Sequence, residues 1–287
     1  MDLTFTKMEG LGNDFIMVDN RKQGIEKIST YGELAVKLCD RRFGIGADGI
    51  IVVVDSNTCD IGFRIFNSDG SEAQMCGNGM RCLARYVYES GMIEQTEITV
   101  ETLAGVIVPR LNIDSQGKIL SVTVDMGKPI LEPEKIPFVT DRPTDLIQTI
   151  ETEKGPVSFT AVSMGNPHAV VFVDDVEKIP LAEIGPLVET HRAFPQKTNV
   201  EFVQVISDSE LRMKVWERGA GITLACGTGA CAAAVAAVLN GKTKNTVTMH
   251  LDGGDLEITW NKATGRVFKT GPARLVYQGR IQVFSDQ

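Results

Sequence analysis

Short apolar runs separated by glycine- and asparagine-rich turns make up most of this chain, and two longer apolar blocks interrupt them. Phe15-Ile16-Met17-Val18 reads as a buried strand entered through Gly12-Asn13-Asp14, and Ile50–Val54 and Phe63–Phe66 read as two more. Residues 31–40, with Leu34, Val36 and Leu38, read as a helix. After the turn Asn67-Ser68-Asp69-Gly70, apolar Met80, Leu83, Ala84, Val87 and Tyr88 recur at helical spacing. Arg81, Arg85 and Glu89 take the other face, and Gly91 is placed to end the helix. Strands are predicted at 97–101, 106–111 and 119–125. Residues 127–145, with four prolines and scattered charge, suit a connection between domains.

The second half repeats that order. Gly165-Asn166-Pro167-His168 opens the run Ala169–Val173, a helical stretch follows near 181–191, and strands are predicted at 200–206 and 211–216. Glu217-Arg218-Gly219-Ala220-Gly221 makes a turn, and a helix runs from Ala230 to Asn240 before Gly241. Strands near 246–251 and 255–260 complete the half. A constant offset of 150 residues takes Arg192 to Arg42, Asn199 to Gly49, Trp216 to Phe66, Glu217 to Asn67, Cys226 to Cys76, Gly227 to Gly77, Gly229 to Gly79 and Gly241 to Gly91. Glycine coincidences are individually weak, but in register and with matching element order they indicate a duplicated domain. Ala230–Leu239 carries no charge on any face, so it must be enclosed all round. A sheet curled around one central helix, twice over, is the simplest arrangement that does this.

Composition narrows the function. With 29 Lys plus Arg against 37 Asp plus Glu, the net charge of −8 argues against nucleic acid and against an anionic membrane surface. The longest apolar stretch is too short to span a bilayer and no secretory leader is evident, so a cytoplasmic protein is expected. The six cysteines contain no Cys-x-x-Cys and the three histidines no helical pair, so neither a disulfide scaffold nor a metal site is expected. Gly44-Ile45-Gly46-Ala47-Asp48-Gly49 matches the dinucleotide fingerprint by letter, but it follows a helix and precedes a strand, the reverse of what that motif requires.

Met75-Cys76-Gly77-Asn78-Gly79 and Ala225-Cys226-Gly227-Thr228-Gly229 place a thiol at the start of each central helix. A helix N-terminus favours thiolate, and the backbone N–H groups of Gly77, Asn78, Gly227 and Thr228 are free to bind an anion. Cys39, Cys59, Cys82 and Cys231 have no such setting and read as small core hydrophobes. Duplicated domains facing each other would put one thiol on each side of a shared cleft. Two acid–base groups on opposite faces of one carbon suit stereoinversion, with the helix termini stabilising the carbanion through its carboxylate.

Together with Gly10-Leu11-Gly12-Asn13-Asp14-Phe15 and Gly165-Asn166-Pro167-His168, the two cysteine motifs and Glu217-Arg218-Gly219-Ala220-Gly221 resemble the signatures of the diaminopimelate epimerase family over almost the whole chain. The resemblance implies an α+β fold of two pseudo-symmetric domains, each a barrel-like, mainly antiparallel sheet wrapped around a central helix. It implies domains at 1–126 and 127–274, with residues 275–287 returning to the first. It further implies a homodimer and a cofactor-independent epimerase interconverting LL- and meso-diaminopimelate for lysine and cell-wall precursor synthesis. Position by position, Cys76 and Cys226 are the acid–base pair, and the amides of Gly77, Asn78, Gly227 and Thr228 hold the reacting carboxylate. Arg218, helped by Asn67, Asn166 and Asn199, pairs with the distal carboxylate, Glu217 receives the distal ammonium, and Asn13 lines the site. His168 is as readily a structural histidine. Many members carry glutamine where this chain has Gly49. Three rivals remain at this point: a proline racemase-like enzyme, which has no use for Glu217-Arg218; a dithiol redox protein; and an amino-acid binding protein without turnover.

Overall fold

The computed structural model describes residues 2–21, 23–25 and 29–283. The chain separates into two compact units, Met1–Val124 with Gly271–Gln287, and Asp125–Thr270. Both are rich in sheet, and four α-helices serve the described chain.

In the first unit, β1 (Asp2–Gly10), β2 (Asn13–Asp19), α1 (Tyr31–Cys39), β3 (Gly49–Val54), β4 (Ile61–Asn67), β5 (Glu72–Ala73), α2 (Gly77–Glu89), β6 (Val100–Thr102) and β7 (Gly105–Ile107) follow in turn. The hairpin β8 (Arg110–Ile113) and β9 (Ile119–Asp125) comes next. The second unit contains β10 (Gln148–Thr152), β11 (Gly155–Ser163), β12 (Pro167–Val173), α3 (Leu181–Glu189), β13 (Asn199–Ser207), β14 (Glu210–Glu217), β15 (Gly221–Ile222), α4 (Gly227–Leu239), β16 (Thr246–Leu251), β17 (Gly254–Trp260) and β18 (Val267–Gly271). The last strand, β19 (Arg274–Gln282), pairs antiparallel with β1. Residues 284–287 of the predicted returning segment lie outside the described residues.

The strand order in the first unit is β19-β1-β2-β3-β4-β6-β7, and in the second it includes β10-β11-β12-β13-β14-β16-β17-β18. Both sheets are mixed, and in the same way. The pairs β2–β3 and β4–β6 are parallel, as are β12–β13 and β14–β16, while the neighbouring pairs are antiparallel. A parallel pair needs a crossover. Here α1 and α3 supply the first crossover of each unit, and α2 and α4 the second. Neither sheet closes into a barrel, because the strand order of each has two ends.

Helix α4 is buried on every side from Gly229 to Ala237 and touches strands β11 to β14, β16 and β17. Its alanines make this enclosure feasible: small side chains let strands approach from all directions, and alanine has the highest helix propensity. Helix α2 is amphipathic, burying Met80, Cys82, Leu83, Ala84 and Val87. Arg81, expected on its polar face, is instead fully buried; its Nε donates to Pro272 O and its Nη1 to Asn78 Oδ1. Both helices end alike. Gly91 and Gly241 adopt φ of 67° and 65°, and the next N–H of each, Met92 and Lys242, returns to the carbonyl of Val87 or Ala237. That left-handed C-terminal cap favours glycine.

Residues 127–145 are not a linker. They fold onto the second unit, bridging Ile130 to Ser163 and burying Ile136 and Phe138 in a core with Phe159, Phe194 and Phe202. The prolines set the turns of a packed segment there. Strands β1, β10, β11 and β18 also went unread in the sequence. In β1 a lysine occupies a buried position, which breaks the apolar pattern. Among the described residues, no helix is long and apolar enough to cross a membrane.

Candidate active site

Cys76 and Cys226 are the N-cap residues of α2 and α4. An N-cap side chain normally offers oxygen to the backbone N–H three positions on; here sulfur takes that place. Cys76 Sγ accepts from Gly79 N at 3.4 Å, and Cys226 Sγ accepts from Gly229 N at 3.4 Å. Glycine at these positions is required by space. A Cβ on Gly79 would lie 2.8 Å from Ile51 Cδ1, and one on Gly229 would lie 2.5 Å from Glu201 Oε1 and 3.1 Å from Cys226 Sγ. The N–H groups of Gly77, Asn78, Gly227 and Thr228 fall in the first turns, where no carbonyl lies four residues back within the helix. Each unit therefore presents one sulfur beside a small fan of backbone donors.

In the first unit Asn13 joins this group. Its Oδ1 lies 3.8 Å from Cys76 Sγ and accepts from Asn78 Nδ2 at 3.3 Å, while its own Nδ2 donates to Asp48 Oδ2 at 2.7 Å. Because Asp48 takes the amide N–H, the carbonyl oxygen is the end that faces the thiol. Behind it, Asp14 pairs with Lys7 at 2.7 Å and Arg41 at 2.8 Å, and Arg41 also reaches Asp48 at 3.0 Å. Burial pushes Asp14 up, but the hydrogen bonds and charges of Arg41 and Lys7 outweigh it and hold its pKa at about 2. The depressed pKa makes this a stabilising carboxylate above pH ~4, worth on the order of 2 kcal/mol and lost as pH falls through about 2. We expect Asp14→Asn to lower unfolding free energy at pH 7, and the gap from wild type to narrow as pH falls from 4 to 2 in urea titrations.

Asn67 lies at the end of β4, exposed, and closes the following turn by donating from Nδ2 to Ser71 Oγ at 2.9 Å. It faces Gly49 across the β3–β4 ladder. A Cβ at Gly49 would come within 2.6 Å of Phe66 O, so in this chain glycine is what lets the two strands meet, and a glutamine would force them apart.

The second unit groups its polar residues more densely. Buried Asn199 donates to Pro167 O at 2.8 Å and accepts from Arg218 N at 2.9 Å, so both ends of its amide hold backbone. Asn166 Oδ1 lies 3.0 Å from His168 Nε2. Arg218 is exposed, its Nη1 donating to Gln196 O at 3.1 Å, whereas Glu217 turns inward and accepts from Thr223 Oγ1. Gly219 and Gly221, at φ of 78° and 76°, make the turn that sends these neighbours opposite ways. Burial pushes the Glu217 carboxyl up against the pull of Thr223, and Glu201 adds to the rise.

Cys226 departs from what its helix position alone predicts. Burial pushes its thiol well above the ordinary cysteine value, and the charges of Glu217 and Glu201 push the same way; the Thr228 hydroxyl and Gly229 N–H oppose them without prevailing. A helix N-terminus lowers a thiol pKa only where desolvation and nearby carboxylates do not outweigh it. Cys39 and Cys82 are simpler: burial is the largest cause and pushes them up to about 12, as befits core thiols.

Sequence reasoning missed Glu201, Thr223 and Asp48. Glu201 had left a signal, a carboxylate inside the apolar run Val200-Glu201-Phe202-Val203, in the buried first half of its strand.

Residues 5–132 and 160–276 match the family model described as diaminopimelate epimerase. A diaminopimelate epimerase of Desulforapulum autotrophicum is 57% identical over 283 residues, covering 99% of this chain and 100% of that protein. One from Heliobacterium modesticaldum is 51% identical, covering 97% and 99%. Among solved structures, a hydroxyproline epimerase from Agrobacterium vitis superposes with a TM-score of 0.69 over 98% of this chain and 92% of that one. At 18% identity, that likeness shows the fold alone.

Proposed function

Since this chain belongs to the diaminopimelate epimerase family, we propose that it inverts one α-carbon of diaminopimelate with Cys76 and Cys226 as the two acid–base groups. The observation that carries this reading is the repeated cap: in both units a cysteine sulfur sits at a central helix start and accepts the N–H of a glycine three residues on. One thiolate removes the Cα proton and the other thiol delivers a proton to the opposite face. Afterwards the two sulfurs have exchanged protonation states, and the reverse reaction starts from the opposite pairing. Cys226, with burial and two carboxylates holding it protonated, is the thiol of the resting enzyme.

The carbanion needs its charge spread onto the α-carboxylate. The N–H groups of Gly77, Asn78, Gly227 and Thr228 suit that oxygen pair, since each belongs to a helix start where donors are unspent. Asn13 steers Cys76 through its carbonyl oxygen. At the distal end, Arg218 meets the carboxylate and Glu217 the ammonium; Asn67 and Asn166 add neutral polar groups, and Asn199 acts by holding the Arg218 backbone. The reaction runs without pyridoxal phosphate or a metal, in the cytoplasm, on a path to lysine and cell-wall precursors.

A racemase of simpler amino acids would not use a distal pair, so the substrate is tested by its far end. Arg218→Ala is expected to raise KM for diaminopimelate roughly ten- to thirtyfold, the loss of one charge-assisted contact, with kcat changed far less. Equal rates on diaminopimelate and on an amino acid lacking the distal ends would count against the assignment. The chain is further proposed to form a homodimer. Edge strand β19 supports this, since it leaves Leu275, Val276 and Tyr277 between 41% and 53% exposed. Sedimentation should give a dimer mass, and a monomer at micromolar concentration would contradict it.

A further inference from the structure

Beneath α2 and α4 the two units differ at a pair of buried positions. The position under Gly79 in the first unit is Ile51; the position under Gly229 in the second is Glu201, at the same 150-residue offset. On the neighbouring strands, Phe15 pairs with Gly49 as His168 pairs with Asn199. Where the first unit buries phenylalanine and isoleucine, the second buries histidine and glutamate. All four are 3% exposed or less, and His168 and Glu201 are at 0%.

A buried carboxylate is costly in an apolar sheet, and replacing such a pair by hydrophobic residues is often stabilising. The first unit shows that the fold accepts the apolar pair. Glu201 Oε1 lies 2.7 Å from His168 Nδ1, yet Oε2 has no hydrogen-bond partner among the described residues. A group kept in that condition calls for a reason outside packing. Its location supplies one, because Glu201 Oε1 and Cys226 Sγ both press on the same point of Gly229, at 2.5 and 3.1 Å from its virtual Cβ.

We propose that Glu201 is a positioning residue for the proton donor: it fixes the His168 ring, and its charge under the start of α4 keeps the Cys226 sulfur in the thiol form. This rests on the two-thiol reading above. The asymmetry then follows from the duplication. One cap lies over an isoleucine and the other over a carboxylate, so the charge acts on Cys226 alone.

The groups facing Cys226 can be named. Glu217 comes from β14, Glu201 from β13 and, behind Glu201, His168 from β12. Strand β11 carries no ionisable side chain. On β16 and β17, His250 and Asp255 pair with each other at 2.8 Å and Glu257 is exposed. Glu217 acts on Cys226 more strongly than Glu201 does and is also assigned above to the distal end of the substrate; Glu201 is the carboxylate to which no substrate role is assigned.

The test is the pH dependence of Cys226 alkylation by iodoacetamide, read by peptide mass spectrometry in the full-length protein, alongside the pH profile of turnover. In wild type Cys226 should titrate above a free cysteine thiol. In Glu201→Gln, alkylation at a fixed pH below that midpoint should rise by about threefold or more, damped by the lower nucleophilicity of a more acidic thiol. The alkaline limb of kcat/KM should move to lower pH in step. Glu201→Asp, which keeps the charge, should retain the wild-type alkylation profile even if turnover falls. Identical alkylation profiles in wild type and Glu201→Gln would overturn the proposal. So would a wild-type Cys226 that titrates at or below a free thiol, a result available even if the glutamine variant does not fold. Alkylation does not depend on turnover, so failure of the two-thiol reading would show separately, as activity in Cys226→Ala.

Discussion

Cys76→Ala and Cys226→Ala are each expected to lower kcat/KM for LL-diaminopimelate by about three orders of magnitude or more, with the protein still folded. General acid–base catalysis by one positioned group contributes roughly 10²–10⁴-fold. Here each group is used on every turnover, because inversion needs both a proton acceptor and a proton donor. Neither alanine leaves a large void, since Cys to Ala removes one sulfur atom, and the N-cap bond lost at each helix start costs about 1 kcal/mol. The two variants should differ from a misfolded protein by retaining substrate binding. Losses should also fail to add: once one sulfur is gone, removing the second has little left to take away. Steady-state kinetics on the single and double variants, with unfolding curves as control, check all of this.

The second large effect is expected at Gly229. Gly229→Ala should cost roughly a hundredfold in kcat/KM, while Gly79→Ala costs clearly less. In both, the new Cβ meets an atom closer than 3 Å. At Gly79 that atom is Ile51 Cδ1, the end of a buried aliphatic side chain that no hydrogen bond holds in place. At Gly229 it is Glu201 Oε1, fully buried and hydrogen-bonded to His168, with Cys226 Sγ also at 3.1 Å. Something must move at Gly229, and each option displaces part of the machinery. A misplacement of about 1 Å at a reacting group costs on the order of 10²-fold. Parallel kinetics on the two variants would separate them, and equal losses would show that the carboxylate under α4 is as yielding as the isoleucine.

Much of this was legible in the residues because the duplication made it so. The 150-residue offset placed Cys76 with Cys226 and Gly91 with Gly241, and these pairs are the caps that begin and end α2 and α4. The charge-free run after Ala230 announced a helix buried on all sides. Where the sequence misled, a local pattern was overruled by tertiary contacts. Four prolines suggested a linker, but Ile136 and Phe138 anchor that segment in a core. Arg81 has the spacing of a surface residue, but a backbone carbonyl and the Asn78 amide receive it inside. Helix-terminus chemistry predicted a lowered pKa at Cys226; the opposite holds, because burial outweighs the helix end and the charges of Glu217 and Glu201 add to it, and neither the burial nor Glu201 can be read from the cysteine motif.

Among the site residues, the cysteines and glycines were the easiest to read and the asparagines the hardest. An asparagine is equally at home in a turn, a cap or a binding site. Asn199 illustrates this, spending both ends of its amide on Pro167 and Arg218 backbone. Its signal in the sequence was only its place in the repeat.

The central claim is that two different sulfurs handle the proton, and solvent isotope tests it most directly. Wild-type protein is incubated with LL-diaminopimelate in deuterated water without added cofactor, and the isomers are separated early in the reaction. The meso product should carry one deuteron at the inverted α-carbon while recovered LL substrate carries almost none, because the abstracting thiol keeps the original proton and the opposite thiol delivers one from solvent. Meso product that retains the substrate's own hydrogen would contradict the two-thiol account.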